Sequence, residues 1–264
     1  MKPTILQEIL EVKRKSVEAA KRETDFNSLR NRAEQVRASS QPHRLREVLQ
    51  RENHTNIIAE IKRASPSKGV INDKIDVAAT AKNYERGGAC AISVLTEEDF
   101  FQGSLEDLRM VRNSVSLPIL RKDFIYDEFQ ITEAAANGAD AVLLIAAMLD
   151  DKDLTNLYRL AEQDLGLDVL LEVHTLEELK RAKKIGAKIV GVNNRDLHSF
   201  AVSLDVSREL IKHAPTDALM IAESGLRTRK DLLELKSLGF DGFLIGETLM
   251  KAGDAEKELG NLQE

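Results

Sequence analysis

Four glycines divide the chain at intervals of about 50 residues, a scale on which structural repeats occur. They are Gly88, Gly138, Gly186 and Gly239. Each glycine ends a helical pattern, where a left-handed residue is favoured, and a short β-rich run follows it. Together with four similar runs between them, these predict eight strands. The predicted strands span residues 57–61, 91–96, 117–120, 141–145, 169–173, 189–192, 219–222 and 242–245.

Most of these runs are continuously apolar, as expected of strands buried on both faces of a parallel sheet. They alternate with helical stretches in a strand–helix–strand–helix unit. Eight parallel strands close into a barrel, and the length of 264 residues suits that fold, which takes about 250. The sequence therefore predicts a single (β/α)8 TIM-barrel domain over residues 1–264. An open, doubly wound sheet is less favoured, because no Gly-x-Gly-x-x-Gly turn follows the first strand.

Residues 1–50 precede the first strand and predict an N-terminal helical extension. An apolar stripe at helical spacing opens it, and Thr4 with Gln7 has the spacing of a capping box. Further helix is predicted at 29–36 and 45–49. Spacing alone leaves two placements open: a plug at the amino ends of the strands, or a cover over their carboxyl ends. The stripe consists of Ile5, Leu6, Ile9, Leu10 and Val17.

Composition limits the partners and the compartment. The formal net charge is −6 with acids and bases interspersed, so we expect neither nucleic acid nor a membrane surface as a partner. No apolar run has the length of a membrane span, and the first residues lack a signal-peptide pattern. The expected location is the cytoplasm. Because Cys90 is the one cysteine, an internal disulfide and a cysteine metal cluster are both excluded.

The predicted carboxyl ends of the strands carry many polar side chains, and in this fold those ends form the mouth where active sites lie. Two lysines and three glutamates are among them, a set too costly to gather in one place without a function. In chain order the candidates are Glu60, Lys62, Ser65, Lys122, Asp123, Glu172, Asn193, Asn194, Arg195, Glu223, Ser224, Gly225, Gly246 and Glu247.

The loops after the seventh and eighth strands predict a phosphate site. They contain Ser224-Gly225 and Gly246-Glu247, in the loops that hold phosphate in many barrels. Glycine lets the backbone approach an anion, and the first N–H groups of a helix can donate to it. The Ser-Pro-Ser-Lys-Gly run that begins at Ser65 would add hydroxyl groups and a cation, although such a run is also typical of a plain turn.

Neither metal nor redox cofactor is expected. The histidines lie apart without ligand spacing and are predicted to be structural or solvated. Cys90 begins a predicted strand and is expected to be a small core residue. The chemistry that remains is acid–base catalysis or a lysine Schiff base. The histidines are His43, His54, His174, His198 and His213.

The run Ile-Ala-Glu-Ile-Lys-Arg-Ala-Ser-Pro-Ser-Lys-Gly at 58–69 resembles the signature of the indole-3-glycerol-phosphate synthase family. Shorter matches are Pro-Ile-Leu-Arg-Lys-Asp-Phe-Ile at 118–125, Gly-Val-Asn-Asn-Arg-Asp-Leu at 191–197 and Ala-Glu-Ser-Gly at 222–225. The opening Thr-Ile-Leu and Lys13 are similar too. The resemblance therefore covers essentially the whole chain. Its twelve-residue run is specific, whereas Glu-Ser-Gly alone is not.

The resemblance implies an enzyme of tryptophan biosynthesis that closes 1-(o-carboxyphenylamino)-1-deoxyribulose 5-phosphate to an indole with loss of carbon dioxide and water. It implies Lys122 as the main general acid and Lys62 as a second acid or as the partner of the substrate carboxylate. Glu172 resembles the base that assists dehydration, while Glu60 and Asn193 resemble residues that orient the lysines and the substrate. The other implied residues are Arg195, Glu223 and Ser224 for the substrate, and Ser65, Gly225, Gly246 and the N–H of Glu247 for its phosphate.

The resemblance also carries expectations about charge, cover and assembly. Glutamates around the mouth would keep its lysines protonated, which favours acid catalysis over a Schiff base. Some members have serine where this chain has Glu247, so the Glu247 side chain is expected to turn away from the phosphate. The family's N-terminal segment helps cover the substrate, which favours the cover placement. We expect a monomer with one small phosphorylated substrate and no cofactor.

Three rival interpretations remain open. One rival is another phosphosugar barrel, such as phosphoribosylanthranilate isomerase. The chemistry of that enzyme would call for a Cys/Asp or Asp/Asp pair at the strand ends, whereas Cys90 starts its strand. A Schiff-base aldolase would use Lys122 as a nucleophile. A barrel that only binds would have a broken charge set, but every expected polar group is present.

Overall fold

The computed structural model describes residues 5–51, 54–197 and 199–263. Eight parallel strands form a closed barrel in which each strand pairs with the next and the last pairs with the first. The predicted (β/α)8 TIM barrel is therefore confirmed, and the doubly wound sheet is wrong. The strands are β1 (Asn56–Ile61), β2 (Ala91–Leu95), β3 (Ile119–Lys122), β4 (Ala141–Ile145), β5 (Asp168–Val173), β6 (Ile189–Asn193), β7 (Leu219–Glu223) and β8 (Gly242–Ile245).

Helices precede the barrel and follow each strand. Three come before β1: α1 (Ile5–Glu23), α2 (Phe26–Ala38) and α3 (Arg44–Leu49). The others are α4 (Val77–Arg86), α5 (Leu105–Ser114), α6 (Glu128–Ala136), α7 (Asp151–Arg159), α8 (Leu176–Ile185), α9 (Asp205–Leu210), α10 (Arg229–Leu238), α11 (Glu247–Lys251) and α12 (Ala255–Gln263). Among the described helices, none is both long enough and apolar enough to cross a bilayer.

The repeated glycines have the backbone conformation that the sequence predicts. Their φ angles are +85° at Gly88, +83° at Gly138, +71° at Gly186 and +113° at Gly239. A residue with a Cβ would be strained there, so these positions end a helix and turn the chain into the next strand. The strands that follow are almost entirely buried. Cys90 is buried beside β2, which confirms it as a core residue.

One predicted strand is displaced. The sequence predicts strand at 117–120, but β3 begins at Ile119 and ends at Lys122. Pro118 has no N–H to give to a ladder, and its carbonyl accepts from Ile92 as the chain enters the sheet. Lys122 therefore pairs with Leu95 as the last residue of its strand, which holds the base of its side chain rigidly.

The N-terminal extension occupies both placements that the sequence left open, with different helices. On α1, Ile5, Leu6 and Ile9 line the cavity at the carboxyl ends of the strands. By contrast, Leu49 of α3 packs inside the opposite end, where its carbonyl accepts from Asn56 Nδ2 at 2.9 Å. The cover is therefore α1 and the plug is α3. Thr4, the proposed cap of α1, lies outside the described residues.

Candidate active site

A cavity at the barrel mouth brings together all twelve residues that the sequence proposes for catalysis and binding. The cavity is bounded by the loops after β1, β3, β5, β6, β7 and β8, and α1 lies across it. Sequence separations of more than 180 residues are bridged here because parallel strands in a barrel present their carboxyl ends at one face. The residues are Glu60, Lys62, Ser65, Lys122, Glu172, Asn193, Arg195, Glu223, Ser224, Gly225, Gly246 and Glu247.

Lys122 is surrounded by carboxylates. Its Nζ lies 3.1 Å from Glu223 Oε2, 3.6 Å from Glu172 Oε2 and 3.9 Å from Glu60 Oε2. Burial by itself would lower the pKa of Lys122, but the attraction of Glu223, Glu172 and Glu60 outweighs it and raises that pKa. The side chain is therefore an ammonium at neutral pH. In that charged form it is a poor nucleophile.

Lys62 and Glu60 form a tight pair at another side of the mouth. Lys62 Nζ donates to Glu60 Oε1 at 2.6 Å, and Glu60 is only 3% exposed. Burial alone would raise the pKa of Glu60, but Lys62 and Lys122 together lower it, so the carboxylate stays ionised. Glu60 thus links the two lysines of the site.

The backbone of Gly246 passes close to this pair. A Cβ at Gly246 would overlap Glu60 Oε1 and would lie 3.0 Å from Lys62 Nζ, so a side chain there would have to displace this ion pair. The ammonium of Lys62 therefore lies beside a glycine of the predicted phosphate loop. The resemblance assigns Lys62 to a second acid or to the substrate carboxylate; the structure also puts it within reach of an anion bound at Gly246.

Glu223 is a buried carboxyl group of the mouth whose pKa is strongly raised. It is 1% exposed, and neither oxygen makes a well-directed hydrogen bond within the described part of the chain, despite the short approach to Lys122. Burial raises the pKa of Glu223 to about 7; Lys122 opposes that shift and Glu172 adds to it. Glu223 can therefore gain or lose a proton near neutral pH.

The loop after β7 has the open backbone that anion binding requires. Ser224 and Gly225 have φ angles of +64° and +79°. Asn194 holds this loop, since its Nδ2 donates to the carbonyls of Glu223 at 3.0 Å and Ser224 at 3.2 Å. Asn194 thus holds the loop in a conformation of the kind that forms anion-binding backbone turns.

Glu247, at the start of α11, has its two carboxylate oxygens near different basic residues. Its Oε1 accepts from Lys251 at 2.6 Å one turn along the helix, which draws the side chain outward. Its Oε2, however, is 3.9 Å from Arg195 Nη2, and the residue still lines the cavity. One oxygen of Glu247 therefore faces Lys251 and the other faces Arg195, and the expectation that the side chain turns away from the phosphate stays a prediction.

Arg195 connects the loops after β1 and β6. Its Nη1 donates to Ser67 Oγ at 3.1 Å, and its backbone N–H donates to Asn193 Oδ1 at 3.0 Å. Ser65 and Gly69 pair in a short antiparallel ribbon on the same β1 loop. The guanidinium is thus held by polar contacts at the edge of the cavity.

An apolar wall completes the cavity, and polar-residue reasoning did not identify it. Phe101 and Phe124 face each other with ring centroids 6.0 Å apart. Leu197 and Phe200 lie on the β6 loop. A flat aromatic ligand would bury its faces against such a wall. The sequence does contain a signal for this wall, namely the pair of phenylalanines after the second strand and Phe124 beside Asp123. No role was predicted for them.

The cover helix α1 is anchored by a buried ion pair that the sequence also did not predict. Lys13 Nζ lies 2.8 Å from Asp123 Oδ1 and 3.9 Å from Glu97 Oε1, and Lys13 is 6% exposed. Burial would raise the pKa of Asp123, but Lys13 and Arg121 lower it to about 2. Asp123 also accepts from the N–H of Phe124, so the anchor adjoins the apolar wall.

Lys13→Met is expected to loosen α1, raise KM and lower Tm. Removing one partner of a buried pair costs about 3–5 kcal/mol, and we expect the lower end because Arg121 still neutralises Asp123. A loss of that size lowers Tm by roughly 6–12 °C in a domain of this length. Thermal unfolding and steady-state kinetics would measure both effects. The matched control is Lys15→Met on the exposed face of α1; equal behaviour of the two variants would contradict the anchor.

The four histidines that the structure describes lie in three kinds of environment. His54 and His213 are exposed, as the sequence predicts, and His198 lies outside the described residues. His43 lies with Glu162 and Asp168 beneath the barrel. Arg46 hydrogen-bonds Glu162 and lies 3.2 Å from Asp168 Oδ1, which makes this cluster an ion-pair network. His174 is different: it lies directly behind Glu172, with Nε2 3.3 Å from Glu172 Oε1.

The chain is similar to known proteins in sequence and in fold. The family model described as indole-3-glycerol phosphate synthase matches residues 6–262. A relative of that name from Carboxydothermus hydrogenoformans is 46% identical over 260 residues, which is 96% of this chain and 97% of the relative. Another from Desulfotalea psychrophila is 46% identical over 251 residues, or 95% and 96% of the two chains. The solved 3-hexulose-6-phosphate synthase from Salmonella typhimurium is similar in fold, with a TM-score of 0.65 at 14% identity over 79% of this chain and 96% of that one.

Proposed function

The chain belongs to the indole-3-glycerol phosphate synthase family, and from that membership we infer how the residues at its mouth divide the reaction. The enzyme is a lyase of tryptophan biosynthesis, which closes 1-(o-carboxyphenylamino)-1-deoxyribulose 5-phosphate to indole-3-glycerol phosphate with loss of carbon dioxide and water. The roles of its individual side chains are our proposal. The test of the reaction is turnover of this substrate, followed by indole fluorescence.

The observation that carries the assignment of roles is the Lys122 ammonium, only 14% exposed, among three carboxylates. In the first step the ring carbon that bears the carboxylate forms a bond to the ketone carbon, and the ketone oxygen takes a proton from Lys122 Nζ. The ring becomes aromatic again when its carboxylate leaves as carbon dioxide. A positioned cationic acid suits this step because negative charge develops on the ketone oxygen.

Dehydration needs an acid and a base on the same intermediate. The new hydroxyl leaves as water after receiving a proton from a lysine, and Glu172 accepts the proton that is released as the indole forms. Glu172 Oε2 lies 3.6 Å from Lys122 Nζ, so the acid and the base of this step can reach the same part of the intermediate. Glu60 links Lys62 to Lys122, and Asn193 orients the substrate beside Arg195, Glu223 and Ser224. These proposed roles are supported by the fact that all of these residues line one cavity.

The substrate's two ends fit the two halves of the cavity. Phe101 and Phe124 would hold the carboxyphenyl ring by apolar contact. At the opposite side, the phosphate would accept from the backbone N–H groups of Gly225, Gly246 and Glu247 and from the Ser65 hydroxyl. These ligands are supported by the positive φ angle at Gly225 and by the close approach of the Gly246 backbone to the Glu60–Lys62 pair.

Phosphate recognition leads to a kinetic prediction. Inorganic phosphate should inhibit competitively, and the substrate without its phosphate should show a lower kcat as well as a higher KM. The reason is that binding energy from a remote group is used to position the reacting end. Steady-state rates with both substrates would measure the effect. An unchanged kcat for the dephosphorylated substrate would contradict the proposed role of this end of the site.

A Schiff-base aldolase is the chemical alternative that shares the lysines. It would require a neutral Lys122 amine, and the surrounding carboxylates raise the pKa of Lys122 instead. Borohydride treatment with a ketose phosphate should therefore leave Lys122 unmodified. We also propose that the chain works as one barrel domain with its 1–50 extension, as a monomer in the cytoplasm.

A further inference from the structure

His174 occupies a position between two carboxylates just outside the catalytic cavity. It is the first residue after β5, two positions beyond Glu172, and its side chain is 11% exposed. Its Nε2 lies 3.3 Å from Glu172 Oε1, and its Nδ1 lies 3.5 Å from Glu178 Oε2. Glu172 Oε2, in turn, faces Lys122. The imidazole therefore contacts the proposed base from the side opposite to the proposed acid.

The outer carboxylate of this series is firmly held. Glu178 lies in the first turn of α8, and its Oε2 accepts from the backbone N–H of His174 at 2.7 Å. Burial would raise the pKa of Glu178, but its bonds to His174 lower it, so it remains an anion. Because β5 and α8 position both acids, the imidazole is constrained at both nitrogens by charge.

The charges around His174 favour its protonated form. Glu172 on β5, Glu178 on α8 and Glu223 on β7 all face it, while Lys122 is screened behind Glu172. The first two basic residues of α8, Lys180 and Arg181, are turned to Glu177 and Asp151, each at 2.7 Å. Burial lowers the pKa of His174, but Glu178 and Glu172 outweigh burial and raise it above its ordinary value of 6.5.

We propose that His174 is a positioning residue for Glu172: its imidazolium holds Oε1 of the carboxylate and leaves Oε2 facing Lys122 and the substrate. The proposal rests on the role given to Glu172 above. His174 is not among the residues that line the cavity, so it acts through Glu172 and not on the substrate. Neither ring nitrogen makes a well-directed hydrogen bond in the described part of the chain, which makes the contact mainly electrostatic.

The first test is the pH profile of His174→Gln, which keeps a polar side chain and removes the charge. We expect kcat to fall about tenfold with KM within about twofold, as for an interaction worth one pKa unit. In the unaltered enzyme kcat should decline as pH rises through the raised pKa of His174, because the imidazole then loses its charge, and this limb should be absent from the profile of His174→Gln. The matched control is His213→Gln at the surface. A fall in kcat with this limb still present in the variant would overturn the proposal.

The second test does not depend on turnover. The chain has five histidines, so their imidazole signals can be followed by NMR, with His174 assigned by its loss in His174→Gln. The pKa of His174 should lie above 6.5 and should fall in Glu172→Gln and in Glu178→Gln. If the His174 titration is the same in Glu172→Gln as in the unaltered enzyme, the pairing is refuted even when the enzyme is active. Absence of turnover with an intact titration would instead refute the proposed function alone.

Discussion

Lys122→Met is expected to lower kcat by about 10²–10⁴-fold while KM changes little, since that is the usual contribution of a positioned general acid. The ammonium is half-buried at the end of β3, and methionine has a similar volume but no proton to donate. The substitution also leaves Glu223, Glu172 and Glu60 without their shared cation. We therefore expect some loss of stability in addition to the loss of rate.

Indole fluorescence is a suitable readout for this variant because the chain contains no tryptophan. Circular dichroism would show that the barrel is still folded, and Lys212→Met, at the surface, is the matched control. Turnover of Lys122→Met at close to the rate of the unaltered enzyme would remove Lys122 from the role of acid. The reaction itself would still stand, since it rests on family membership.

Lys62→Met should have the other kinetic signature, a higher KM with a smaller loss of kcat. A hydrogen bond to a charged group contributes about 1.5–3 kcal/mol, which corresponds to an increase in KM of roughly 10–150-fold. The Nζ of Lys62 lies between Glu60 and Gly246, where it can neutralise an anionic group of the substrate. Loss of this cation also leaves Glu60 with Lys122 as its remaining ion-pair partner among the described residues.

The dephosphorylated substrate identifies which anion Lys62 binds. If Lys62 serves the phosphate, Lys62→Met should have little further effect on a substrate that lacks it. If Lys62 serves the carboxylate, the variant should impair both substrates equally. A reversed pattern, with kcat lost in Lys62→Met and KM raised in Lys122→Met, would exchange the roles of the two lysines.

The barrel itself was predictable because its signals are local. A glycine at the end of each helix and an apolar run after it are properties of neighbouring residues, and they occur in a fixed order along the chain. Even so, β3 starts two residues later than the apolar run suggests, since Pro118 cannot join the ladder through an N–H. Strand type was local information, whereas strand boundaries also depended on the neighbouring strand.

The polar site was predictable for a related reason. Parallel strands place their carboxyl ends at one face, so reading only those positions identified Lys122, Glu172 and Glu223 without any distance information. The apolar wall was not predicted because a phenylalanine in a loop after a strand belongs to no periodic pattern that would indicate what it packs against. Phe101 and Phe124 become partners only when β2 and β3 lie side by side in the barrel.

By itself, then, the sequence determined the eight-stranded barrel, the residues at its mouth and, through its motifs, the family to which the chain belongs. Only the tertiary structure decided that α1 covers the mouth while α3 plugs the opposite end, since apolar residues at helical spacing indicate a buried face but not the end of the barrel that it packs against. It also decided which charges meet. Lys13 reaches Asp123 across more than 100 residues, and His174 lies between Glu172 and Glu178 because a strand end and a helix start converge there. Ion pairs and pKa values depend on distances of a few ångströms and on burial, and both arise only when the closed barrel brings distant segments together.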